Sequence, residues 1–159
     1  MRANESLKFS ESNDAPLEGA ALKSAIVDFV RNASTEISTH DEDSLPTLAS
    51  TLPAGTAVYI AHTPKATLKE VAQTAIKLQR LGFRASPHIV ARRIESHQAL
   101  QHALDQLSAA GVEQALLVAG DLPKAAGPFT STLDIIDSGI LQNSSLKRLG
   151  IAGHPEGHK

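Results

Sequence analysis

Five times along the chain a short, β-prone apolar run is followed by a polar corner, and the runs are separated by amphipathic helical stretches. No other feature constrains the fold as tightly. Strand and helix alternating with short corners is the signature of an α/β fold built on a parallel sheet. The runs are Thr35–Ser38, Ala57–His62, Phe83–Val90, Ala115–Ala119 and Arg148–Ala152. The fourth is continuously apolar, which predicts a strand covered on both faces.

The intervening helices carry recognisable ends. Leu17, Ala21, Ile26, Phe29 and Val30 share a face in a helix that ends near Arg31-Asn32. After an acidic corner, Ser44 is placed to N-cap a short helix with Pro46 in its first turn. Thr67-Leu68-Lys69-Glu70 is a capping box, opening a helix whose buried stripe is Leu68, Val71, Ala75 and Leu78; Gly82 ends it. Ala91-Arg92-Arg93 leads into a helix with Leu100, Ala103, Leu104 and Leu107, stopped by Gly111. A last helix is predicted over 131–141. Residues 1–16, rich in Ser, Asn and Glu, read as a mobile arm.

Composition narrows the function classes. The 159 residues include 15 basic and 17 acidic side chains, so no global charge draws the chain to nucleic acid. Aromatic residues make up 3%, too few to stack single-stranded bases. There is no cysteine, which excludes disulfides and thiol chemistry and suits a cytoplasmic location. No apolar run is long enough to span a membrane. A GxGxxG turn, a Walker loop and a GxSxG elbow are all missing. The tail His154-Pro155-Glu156-Gly157-His158 holds two histidines and a carboxylate, but proline and glycine forbid the helix that would align them as ligands, so no metal is expected.

The polar residues Glu36, His62, His88, Asp121 and His154 fall at strand ends, where α/β folds carry their chemistry. Each has a plainer reading. His88 reads as a core histidine with one satisfied nitrogen, Asp121 as a turn cap, and Arg92-Arg93 as a solvated corner that could also meet phosphate. Glu36 lies inside a strand-like run and faces either solvent or a site. Enclosure would raise its pKa and suit it to general-acid work.

The stretches EIS at 36–38, SPHIVARR at 86–93, LLVAGDLPKAAGPF at 116–129 and GIAGHPEGH at 150–158 resemble the methylenetetrahydrofolate reductase family of flavin-dependent (β/α)8 barrels. The resemblance implies FAD as cofactor, NAD(P)H as reductant and 5,10-methylenetetrahydrofolate as substrate, reduced to 5-methyltetrahydrofolate. It implies that Glu36 is the acid that protonates the folate, and that Asp121 tunes the flavin and orients the pterin. His88, Gly120, Asp121, Phe129, His154 and His158 would contact the cofactor, and Tyr59 and His62 the nicotinamide donor. Ala119 stands where some members have an arginine for the cofactor.

A complete (β/α)8 barrel takes about 250 residues. The expectation is therefore an incomplete (β/α)8 TIM-type barrel over 17–159, with about five parallel strands and flanking helices. Its open edges call for a second chain or self-association, and the chain alone is expected to be a poor catalyst. Two alternatives are a non-catalytic, five-stranded flavodoxin-like binding or regulatory module and a half-barrel assembly subunit.

Overall fold

In the computed structural model, residues 18–152 are described. The arm over 1–16, Leu17, His154 and His158 lie outside them. Two units are present, one ending at Asn32 and one beginning at Ala33. The first holds α1 (Gly19–Arg31), whose side chains are all unburied and whose end is closed by the Asn32 side-chain amide donating to the Asp28 carbonyl at 2.8 Å.

The second unit runs β1 (Ser34–Ser38), α2 (Leu45–Thr51), β2 (Ala57–Ala61), α3 (Leu68–Arg80), β3 (Arg84–Val90), α4 (His97–Ala109), β4 (Gln114–Val118), α5 (Thr132–Asp137) and β5 (Arg148–Ile151). All four strand pairings are parallel and the spatial order is β1-β2-β3-β4-β5. A flavodoxin-like sheet has the order 2-1-3-4-5, so the topology is not flavodoxin-like. The architecture is α/β, with five parallel strands in one sheet and flanking helices. When each strand is added to the same side of the last, right-handed crossovers place every connecting helix on one face.

Burial follows that rule. In register, Ile37, Ile60 and Pro87 share one face with Ile89 and Leu117. These side chains are buried, with Val58, Ile60 and Leu117 fully so. Against this layer pack Val71, Ala75 and Leu78 of α3 and Leu100, Leu104 and Leu107 of α4. The opposite face carries Glu36, Tyr59, His88, Leu116 and Gly150, which range from half-buried to exposed. On the central strand that face is better covered, since Ser86 and Val90 are buried.

β4 differs from its prediction for this reason. Ala115 and Leu117 are buried, whereas Leu116 and Val118 are only half-buried. Its unbroken apolar run is covered on one face.

Local chemistry explains the helix ends. The Thr67–Glu70 capping box forms, with the Glu70 amide donating to Thr67 Oγ1 at 3.2 Å and the Thr67 amide to Glu70 Oε2 at 2.7 Å. Ser44 makes no cap; it lies in a 3-10 turn over Glu42–Ser44, and the corner is held instead by Asp41, which accepts from the Ser38 amide and hydroxyl. These bonds lower the Asp41 pKa. The predicted 131–141 helix breaks after Asp137, where Gly139 enters the left-handed region at φ +73° and a 3-10 turn over Ile140–Asn143 follows.

Candidate functional site

Parallel strands all point their carboxyl ends the same way, so the segments leaving β2, β3 and β4 meet at one end of the sheet. There they enclose a cleft of about 810 Å³. His62 and Thr63 line it from β2, His88, Val90 and Arg93 from β3, and Gly120 and Asp121 from β4. Thr130 and Thr132 close it from the start of α5.

His62 is 7% exposed. Its Nε2 lies 3.2 Å from the Ala66 carbonyl, an acceptor, so Nε2 carries the proton and Nδ1 is left as an acceptor without a partner. Burial, reinforced by the Arg93 charge, pushes its pKa down to about 4. His62 is therefore neutral at pH 7.

His88 sits on the sheet face opposite the α3–α4 layer, with Tyr59 edge-on at 6.0 Å. Its Nε2 is 3.4 Å from Glu36 Oε2 but makes no hydrogen bond. Burial lowers the His88 pKa, with the Glu36 carboxylate opposing. Glu36 itself lies on the outer strand β1 and its side chain is 58% exposed. The enclosure that would prepare it as a general acid is not supplied by the described residues.

Gly120 adopts φ +88°, and a Cβ there would come within 2.5 Å of Val90 Cγ1. Only a glycine packs there against Val90 and Arg92, and Gly120 lines the cleft. Asp121 follows, largely exposed, with Oδ1 3.6 Å from Arg93 Nη2.

The two arginines of the β3 corner do different work. Arg92 clasps the chain after β4: its Nε donates to the Thr130 carbonyl at 3.0 Å and its Nη1 to the Leu122 carbonyl at 2.6 Å. The Arg92 amide also donates to the Ala119 carbonyl, and its own carbonyl accepts from the Ala126 amide. Arg93, with its side chain 13% exposed, turns into the cleft. The sequence offers the pair as a solvated corner that could also meet phosphate; in the structure both line the cleft and Arg93 is the one held at Asp121. The available signal was the doublet after a buried strand, in which adjacent side chains take different directions.

Of the residues singled out from the sequence, His62, His88, Gly120 and Asp121 line one cleft. Glu36 and Tyr59 join it indirectly, through His88. Phe129 is 1% exposed and packs on the His97 ring at 4.8 Å, in the core. Its neighbour Thr130 reaches the cleft instead. Among the described residues, no three His, Asp or Glu side chains come together as a metal site requires, and no helix is long and apolar enough to cross a membrane. No protein-family model matches the chain.

Proposed function

We propose that the chain is part of a cytoplasmic, FAD-dependent, methylenetetrahydrofolate reductase-like (β/α)8 barrel enzyme. Its reaction is the reduction of 5,10-methylenetetrahydrofolate to 5-methyltetrahydrofolate at the expense of NAD(P)H. One observation carries the reading: His62, His88 and Asp121, singled out at strand ends, and Gly120, which the resemblance adds, converge on one cleft at the carboxyl end of a parallel sheet.

The residues fit the ring end of a flavin. Gly120 and Asp121 line the cleft, and His88 Nε2 is a buried polar atom with no hydrogen-bond partner on the cleft wall. A cleft of about 810 Å³ accommodates a ligand of that class. When bound, FAD carries the hydride between the nicotinamide and the folate.

The protein's part is binding, orientation and one proton. His88, neutral at pH 7 through burial, offers a ring nitrogen to the flavin without adding charge. Arg93 holds Asp121 at the rim, where the carboxylate orients the pterin by accepting its N–H groups. Glu36 stands on the His88 side of the cleft as the proton donor. Its exposure means that further strands beside β1 are needed to shield it. Among the described residues β1 and β5 each pair on one side only, so the described sheet has two parallel edges. Whatever chain completes the barrel pairs there.

FAD titration of the full chain, followed by quenching of flavin fluorescence, tests the proposal. Saturable quenching is expected, weakened at least about tenfold by Gly120→Val, a change of about 1.4 kcal/mol in binding. Quenching that never saturates, or that is indifferent to Gly120→Val, overturns it.

A further inference from the structure

Between Gly120 and Thr130 the chain forms neither helix nor strand, yet this segment supplies Gly120, Asp121 and Thr130 to the cleft wall. Phe129 is its one buried side chain. Apart from the bonds that cap α5, three hydrogen bonds tie the segment to other described residues, and Arg92 makes all three. Its side chain donates to the Leu122 and Thr130 carbonyls, and its own carbonyl accepts from the Ala126 amide at 2.9 Å. The two stretches lie close together: a Cβ on Gly127 would fall 2.3 Å from the Glu95 carbonyl oxygen.

The clasp needs a guanidinium. Leu122 follows Asp121 directly and Thr130 lies on the returning limb, so the two carbonyls belong to opposite ends of the wall. Nε and Nη1 reach both at once because the planar fork fixes the angle between its donors. An ammonium in the same place is one centre on a flexible stem. Hydrogen bonds from a charged donor are also stronger than neutral ones. Among the described residues Arg92 meets no carboxylate at ion-pair distance, so its charge is directed at these carbonyls, whereas Arg93 is paired with Asp121.

We propose that Arg92 is a positioning residue of the cleft: its forked side chain closes the segment after β4 and so holds Gly120, Asp121 and Thr130 where a ligand meets them. The identity of that ligand rests on the flavin reading. The closure does not, since Arg92 makes it with the chain alone.

Amide hydrogen exchange of the full chain without ligand reads the closure, and FAD titration reads its consequence. The Ala126 amide is the reporter, because any substitution at Arg92 keeps the carbonyl it bonds. Arg92→Lys is expected to speed exchange at Ala126 at least about tenfold more than at the β3 and β4 amides, and to weaken FAD at least about tenfold. Arg92→Ala should do the same; if it folds poorly, Arg92→Lys, which keeps the stem and the charge, decides the matter. Equal acceleration at Ala126 and in β3 and β4 overturns the proposal, because it marks a residue that only stabilises the fold. So does a lysine that protects Ala126 as well as arginine does, or a freed Ala126 amide with unchanged FAD affinity. A parent chain that binds no FAD removes the flavin reading instead, and exchange at Ala126 then decides the closure by itself.

Discussion

Leu116 and Leu117 are neighbours on β4 with the same side chain, yet they belong to different regions of the molecule. Leu117 points to the helix-covered face and is fully buried among the side chains of the core. Leu116 points to the other face and remains half-buried. The same division runs across the sheet, separating Val58 and Ile60 from Tyr59, and Ile89 from His88. The covered face holds the fold together. The bare face is free to carry chemistry, because no helix has to pack on it.

The largest test of this division is Leu117→Ala. Removing a fully buried leucine leaves a cavity in a layer that cannot collapse easily, and such changes cost about 2–5 kcal/mol. Equilibrium denaturation of the full chain should show a midpoint shift of that size with an unchanged slope. A shift under about 1 kcal/mol would mean that the helices do not pack as tightly as the burial implies.

Next in size is a pH effect at the boundary between the faces. The folded state holds the His62 pKa at about 4, against an ordinary value near 6.5 in the unfolded chain. The unfolded state therefore binds the proton first as pH falls. The stabilisation from neutral His62 is complete above about pH 6.5 and is lost progressively down to about pH 4, by on the order of 3 kcal/mol at most. His88 shifts in the same direction through burial and adds to the slope. Below that window the carboxylates take over: hydrogen bonds from Thr130 and Ser131 hold Asp134 at about 2, and its contribution disappears as pH falls through that value. Denaturation midpoints measured across about pH 4 to 7 should fall with acid, and His62→Gln should flatten the curve while His88 leaves a residual slope. An equal slope in His62→Gln would show that His62 is not the buried neutral group.

A smaller effect separates the helix layer from its corners. Thr67→Ala removes the hydroxyl that accepts the Glu70 amide and should cost about 1 kcal/mol. Ser44→Ala should cost little, since Ser44 makes no cap. Thermal or chemical denaturation of both variants checks the contrast, and equal losses would contradict it.

Much of this layering was legible in the sequence, for local reasons. Thr67 and Glu70, Gly82 and Gly111 announce helix ends through chemistry that acts within one turn. Strand and helix alternation reads directly because their hydrophobic periods differ. The covered face of β4 did not read, because Ala115 to Val118 is apolar at every position and period two is invisible in an unbroken run. The burial of Phe129 and the inward turn of Arg93 did not read for a related reason. Whether a side chain at a corner turns inward depends on neighbours brought from distant stretches, as Arg92 is anchored by the Leu122 and Thr130 carbonyls. The gathering of His62, His88 and Asp121 was legible from their places at strand ends, because parallel strands bring those ends together; Gly120 came from the resemblance.

The finest test returns to the first pair. Leu116→Ala removes the same atoms as Leu117→Ala, but from a half-buried side chain facing away from the helices. Its Cδ1 lies where a Cβ on Gly150 would come within 2.8 Å, so the side chain rests across the bare backbone of β5 and little else is lost with it. The expected cost in the full chain is below about 1 kcal/mol, because most of the removed surface was never fully withdrawn from water. The contrast should depend on what covers the face opposite the helices. If strands from another chain complete the sheet, Leu116 becomes a barrel-interior residue and its loss should grow toward that of Leu117. Denaturation at low and high protein concentration measures this directly: a Leu116→Ala penalty that rises with concentration reports self-association over that face. A penalty equal to that of Leu117→Ala at every concentration would show that the two faces are alike, and the division itself would fail.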